Sequence, residues 1–246
     1  MPYTLSPGFV LRLWHHRRVC LGRLLGGCLL SLVLSGCATV SQDRMSQTDR
    51  DIANSERALA NAQLAHDRVG EGIALQNLGD AYRARGQSAT AITYLTQALA
   101  IWRIEHDRTR EGRTLNALGR VYQALGQYDK ALTLYEQALA IACEVGDRRE
   151  EGWVFLNLGS VYARLSQYDK ARTFYEQALA IAREVGAQGG EALTLANLGY
   201  IYQGLGQYDK ALTSHEQALV LARKAGDQRV EGLVFKALGD VYEALG

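Results

Sequence analysis

His215 and Glu216 open the run "HEQAL" at 215–219, the start of a helical zinc site whose second histidine would follow four residues on. Leu219 stands at that fifth position, so the ligand-bearing face is missing. His66 and His106 are far from His215 in the chain, and all three are read as surface or packing residues. Cys143 has no histidine close in sequence to serve as a base, and it aligns with Arg103, Arg183 and Arg223 forty-residue steps away. It is expected to be exposed or half-exposed and inert. No glycine loop ending in Lys-Ser/Thr cradles a phosphate, and no Gly-x-Ser-x-Gly elbow presents a nucleophile. The expectation is a chain that is not an enzyme and needs neither metal nor cofactor.

What the chain does contain is a repeat. "YEQALAIA" occurs at 135–142 and again at 175–182, with "LTQALAIW" at 95–102 and "HEQALVLA" at 215–222. Self-alignment at forty residues gives full units at 71–110, 111–150, 151–190 and 191–230, flanked by half units at 51–70 and 231–246. The net charge is +1, which argues against nucleic acid as a partner. The only prolines are Pro2 and Pro7, so nothing interrupts helices beyond them.

Within each unit apolar residues recur at intervals of three and four. Leu115, Leu118, Val121, Tyr122 and Leu125 form one helical stripe, and Ala131, Leu134, Tyr135, Ala138, Leu139 and Ala142 form the next. Gly126 and Gly146 are expected to end these helices, with Asp147 capping the following one and Glu150 as its capping-box partner. Ser166 replaces the glycine present at 86, 126 and 206, so a left-handed turn there would be relieved by Ser166→Gly. Glycines at 79, 119, 159, 199 and 239 are expected to let paired helices approach, with alanines at 91, 131, 171 and 211 as the opposing surface.

The pattern Leu118-Gly119, Tyr122, Ala131, Tyr135, Ala138 resembles the tetratricopeptide repeat. So do Leu158-Gly159, Tyr162, Ala171, Tyr175, Ala178 and Leu198-Gly199, Tyr202, Ala211, Ala218. The period of forty exceeds the family's usual value of about 34 and is similar to the long-repeat branch of kinesin light chains. The resemblance covers 51–246. It implies an all-α fold, a right-handed α-solenoid of antiparallel helix pairs, with the first helix of each pair lining a concave side.

On that side the outward stripe varies from copy to copy while the packing positions hardly change. The candidate partner-binding residues are Asn77, Arg83, Arg113, Asn116, Arg120, Trp153, Asn157, Arg164, Asn197, Tyr200 and Lys236. Asparagine amides suit an extended peptide backbone, arginines hold carboxylates with two bonds, and Trp153 and Tyr200 could act as apolar anchors. The implied partner is a protein or peptide.

Residues 1–36 carry Arg12, Arg17, Arg18 and Arg23 and no acid, followed by "LLGGCLLSLVLSGC" at 24–37. The apolar run is too short to span a bilayer and suits a secretory signal. Its end, Leu34-Ser35-Gly36-Cys37, resembles the lipobox of bacterial lipoprotein precursors. This implies cleavage before Cys37, acylation of that residue and a polar linker over 37–50. Ala38 lacks the aspartate that holds lipoproteins of this class at the inner membrane, which favours the outer membrane facing the periplasm. A start at Met45 would instead leave a cytoplasmic chain.

The expected function is a lipid-anchored, non-catalytic interaction scaffold of the cell envelope. The alternative is the repeat region of a longer effector carrying a caspase-like protease or an NTPase. The unit at 231–246 has no second helix in this sequence. Phe235, Leu238 and Tyr242 are therefore expected to form an apolar patch suited to self-association.

Overall fold

The computed structural model describes residues 46–245. The expected leader at 1–36, the lipidation site Cys37 and the start at Met45 lie outside the described residues. Those residues form helices joined by short turns: α1 (Gln47–Leu64), α2 (Arg68–Ala84), α3 (Ser88–Ile104), α4 (Arg108–Ala124), α5 (Tyr128–Val145), α6 (Arg148–Arg164), α7 (Tyr168–Glu184), α8 (Gln188–Gly204), α9 (Tyr208–Ala225) and α10 (Gln228–Leu245). The fold is an all-α solenoid. Helix α1 begins at Gln47, inside the segment read as a linker. Asp49 in its first turn favours the helix N-terminus, and the Gln47 amide donates to Asp51 at 2.9 Å.

The helix starts follow from capping chemistry. The carboxylates of Asp67, Asp107, Asp147 and Asp227 accept from the backbone N–H three residues on. Ala187 stands at the same place before α8 and supplies no such bond. The capping box expected at Asp147 is only half present. Glu150 does not reach back; its carboxylate accepts from Asn116 of α4 at 2.6 Å instead.

Most turns need a left-handed residue. Gly126 has φ 71°, and Ser166 takes the same conformation at φ 58° without glycine's freedom. His66 and His106 do likewise at 53° and 54°, so their places in the repeat are turn positions and not packing positions.

Helices α2 and α3, α4 and α5, α6 and α7, and α8 and α9 pair antiparallel, and each pair packs on the next. The first helices of successive pairs, α2 with α4, α4 with α6, α6 with α8 and α8 with α10, also touch. Among the described residues the second helices, α3, α5, α7 and α9, do not touch one another. The stack is therefore tighter along the first helices, which makes their side the inside of the curve.

The expected glycine-to-alanine contact is corrected in detail. A Cβ on Gly119 would stand 2.5 Å from the ring of Tyr135, and one on Gly159 would stand 2.7 Å from the ring of Tyr175. Leu95 and His215 fill the same space against Gly79 and Gly199. The glycine makes room for the large side chain four residues beyond the alanine, while Ala91, Ala131, Ala171 and Ala211 are fully buried beside it. Gly239 has nothing within 4 Å, because no helix follows α10 among the described residues. A second close approach was not foreseen. Gly72 faces the buried Trp102, and Gly112 and Gly152 face Ile141 and Ile181.

Candidate partner-binding groove

Each first helix turns its apolar stripe toward its partner and the next pair, which leaves the opposite stripe facing the inside of the curve. There the side chains bound a hollow of about 540 Å³ lined by residues of five first helices. Gln76 and Asp80 come from α2, and Arg113, Asn116 and Arg120 from α4. Glu150, Trp153, Leu156 and Asn157 come from α6, Leu193 from α8 and Arg229 from α10. That α2 and α10 border one cavity follows from the curvature accumulated between them. A second hollow of about 500 Å³ shares Arg120 and Asn157 with the first and adds Arg83, Gln123, Tyr128 and Arg164.

Of the residues expected to form the groove, Arg113, Asn116, Arg120, Trp153 and Asn157 line the larger hollow, and Arg83, Arg120, Asn157 and Arg164 line the smaller. Asn77 and Lys236 are exposed but line neither, and Asn197 is half-buried. Tyr200 is turned to the far end of the stack, where its hydroxyl donates to the Leu233 carbonyl at 3.3 Å and its ring meets His215 edge-on. It serves contact within the stack. Phe235 and Tyr242 are exposed on α10, as expected, but Leu238 is half-buried, and Arg223 lies over the Phe235 ring at 5.2 Å.

The polar groups divide into those already engaged and those left open. Asn157 donates to the Asn116 carbonyl oxygen at 2.8 Å, and Asn116 donates to Glu150 at 2.6 Å. This chain ties α4 to α6. Asn116, one of the candidate groove residues, is buried and both ends of its amide are used, so it braces the groove floor. Burial pushes the Glu150 carboxyl above the usual carboxylate range, against the opposing pull of the Asn116 bond. Arg113 pairs with Asp147 at 2.7 Å. Gln123 donates to Ser160 at 2.9 Å and accepts from the Tyr135 hydroxyl at 2.7 Å, which fixes one wall.

Arg120 is different. The residue as a whole is exposed, yet the surrounding walls partly desolvate its guanidinium. That desolvation, together with the neighbouring Arg83, lowers its pKa from the ordinary guanidinium value. Trp153 is 40% exposed and stands beside Leu156 and Leu193, giving the larger hollow one apolar side. Glu150, Leu156 and Arg229 were missed in the sequence. Glu150 reads there as a cap, and Leu156 and Arg229 lie outside the stripe used to choose candidates.

Among the described residues no cluster of three or more His, Cys, Asp or Glu could hold a metal ion. None of their helices is long and apolar enough to cross a membrane. Cys143 is exposed, and its thiol is pushed up by partial burial and by Glu151.

A family model described as "Tetratricopeptide repeat" matches residues 50–104, 110–184 and 190–246. No curated protein matches the chain. Solved structures do. BtubC (BKLC) from P. vanneervenii is 23% identical, covering 81% of this chain and 87% of its own, with a TM-score of 0.65. The nearly identical TPR-like repeats of a Podosopora anserina kinesin light chain are 23% identical over 73% of this chain and 89% of theirs, with a TM-score of 0.56. A Rap protein complexed with competence and sporulation factor is 20% identical over 79% of this chain, with a TM-score of 0.66. This chain spans 61% of that protein's length. At these identities the likeness is one of fold.

Proposed function

The chain belongs to the tetratricopeptide-repeat family, and we propose that it is a non-catalytic scaffold that holds a peptide or protein partner in the groove of its first helices. The observation that carries this reading is the hollow bordered by five of those helices, lined by the apolar Trp153, Leu156 and Leu193 together with Arg113, Arg120 and Arg229. A concave site with a few convergent polar groups is where a ligand is best desolvated and oriented. The Rap neighbour, solved with competence and sporulation factor, is a solenoid of this fold in complex with a partner.

The helices of successive units start at Arg68, Arg108, Arg148, Gln188 and Gln228, a regular interval of forty. This favours the long-repeat branch of the family. The sequence Leu34-Ser35-Gly36-Cys37 after a basic, apolar leader favours a lipid-anchored protein of the bacterial envelope. Two or more acyl chains on Cys37 would make the tether durable.

Both parts are tested in cells. A crosslinkable residue at Trp153 captures a partner that Arg120→Ala/Trp153→Ala/Asn157→Ala protein no longer retains; unchanged retention by the triple variant contradicts the groove. Cys37→Ser moves the chain from the detergent phase to the aqueous phase on Triton X-114 partition; unchanged partition contradicts the anchor.

A further inference from the structure

The smaller hollow is lined by Arg83, Gln123, Arg120, Asn157, Arg164, Tyr128 and the turn at Ala124–Gly126, with no carboxylate among them. Three guanidinium groups from three successive first helices face one space of about 500 Å³. Their surroundings differ from those of the arginines that start α4 and α6 and of those near the ends of the second helices. Arg108 holds Glu144 through two nitrogens, at 3.3 and 2.6 Å, and Arg148 holds Glu184 in the same way, at 3.2 and 2.6 Å. Arg103, Arg183 and Arg223 each pair with the glutamate eight residues on, at 2.8–3.0 Å. In the hollow, Arg83 touches Asp80 through one nitrogen at 3.4 Å, and neither Arg120 nor Arg164 has an ion pair among the described residues. Asp80 and Glu150 act on Arg120 only from a distance, and like charges gathered in one recess with so little counter-charge favour an anionic occupant.

We propose that the Arg83–Arg120–Arg164 hollow seats two acidic side chains of an extended segment of the partner. The proposal rests on the groove reading above and names the chemistry of its occupant. Charge complementarity is the first reason, since Arg120 and Arg164 have no ion pair among the described residues and Arg83 has only the single long contact to Asp80, which leaves room for two further negative groups. Geometry is the second. Side chains two apart on an extended strand lie on one face, about 7 Å apart. Packed helices lie about 8–10 Å apart, so arginines on neighbouring first helices can each meet one carboxylate with two bonds. Size is the third. The volume of about 500 Å³ far exceeds one carboxylate. The acidic pair sits where the Gly126 turn borders this hollow.

The test is fluorescence anisotropy of a labelled, terminally blocked Ser-Glu repeat peptide titrated with the full chain, beside a Ser-Gln peptide of equal length. The expected result is binding of the acidic peptide alone. Arg120→Gln and the double variant Arg83→Gln/Arg164→Gln should weaken it by at least about tenfold. Arg172→Gln, on the outer helix α7, should change it by less than about twofold. Circular dichroism confirms that all variants are folded. Equal binding of the neutral peptide overturns the proposal, as does an equal loss in Arg172→Gln. So does a requirement for a free C-terminal carboxylate, or binding of a phosphoserine peptide where the Ser-Glu peptide does not bind. A partner crosslinked at Trp153 and still retained by an Arg83→Gln/Arg120→Gln/Arg164→Gln variant would leave the groove reading standing and overturn the acidic seat.

Discussion

The ring of Tyr135 occupies the space that a Cβ on Gly119 would need, coming within 2.5 Å of that position. The missing methyl lets an aromatic ring close on a helix backbone, and the Tyr135 hydroxyl then reaches Gln123 at 2.7 Å. Gly119→Ala should destabilise the fold. Overpacking of this kind costs about 1–3 kcal/mol, only partly offset by the better helix propensity of alanine, worth about 1 kcal/mol. Gly239→Ala meets open space and should be neutral or stabilising by up to about 1 kcal/mol. Urea denaturation of the two variants checks the contrast, and a stabilised Gly119→Ala would mean that the ring can withdraw freely.

Ser166 holds φ 58°, a conformation that costs a residue with a Cβ about 1–2 kcal/mol. Ser166→Gly removes that cost but frees the unfolded chain, so a net gain of about 0.5–1 kcal/mol is expected. The check is an upward shift of the denaturation midpoint.

His215 is fully buried, and desolvation lowers its pKa to about 4. Its Nε2 lies 3.4 Å from Gln203 Oε1, its ring meets Tyr200 edge-on, and its Nδ1 has no partner. Among the described residues no carboxylate pairs with it to stabilise the charged ring. Because the folded state resists protonation while the unfolded chain accepts it near pH 6.5, the contribution of His215 is intact above that pH. It is lost as pH falls toward 4, by roughly 3 kcal/mol. His215→Tyr places at this position the residue that Tyr135 and Tyr175 supply in two other units, with Gln203 standing where Gln123 accepts the Tyr135 hydroxyl. The variant should be more stable at pH 5 than the parent, and the difference should shrink toward pH 7. A constant difference across that range contradicts the assignment.

Cys143 stands where other units carry Arg103, Arg183 and Arg223, each paired with the glutamate eight residues on. Cys143→Arg would set a cation beside Glu151 and should add about 0.2–1 kcal/mol, because the equivalent pairs are half open to solvent. The gain should fade in high salt, and a gain unaffected by salt would point to packing.

The forty-residue period, the helix pairs and the side that lines the groove were legible because small residues and apolar stripes recur in register. The partner of the conserved-spacing glycine was not. Composition says that Gly119 is small, but not that the Tyr135 ring, and not Ala131, fills the gap. Glu150 was misread because a capping box is recognised from residues three apart, whereas its hydrogen bond goes to Asn116 on another helix. Tyr200 fits the stripe pattern as well as Arg120 does, yet the neighbouring α10 draws its hydroxyl away from the hollow. Arg229 joins the groove only through curvature summed over four repeats, which no single unit encodes.

The central claim, that the inside of the curve grips another polypeptide, is tested most directly by comparing a photocrosslinking residue at Trp153 with one at Arg172. The account predicts adducts to a partner from position 153 and few from position 172 on the outer helix α7. Adducts from position 172 with none from position 153 would contradict it.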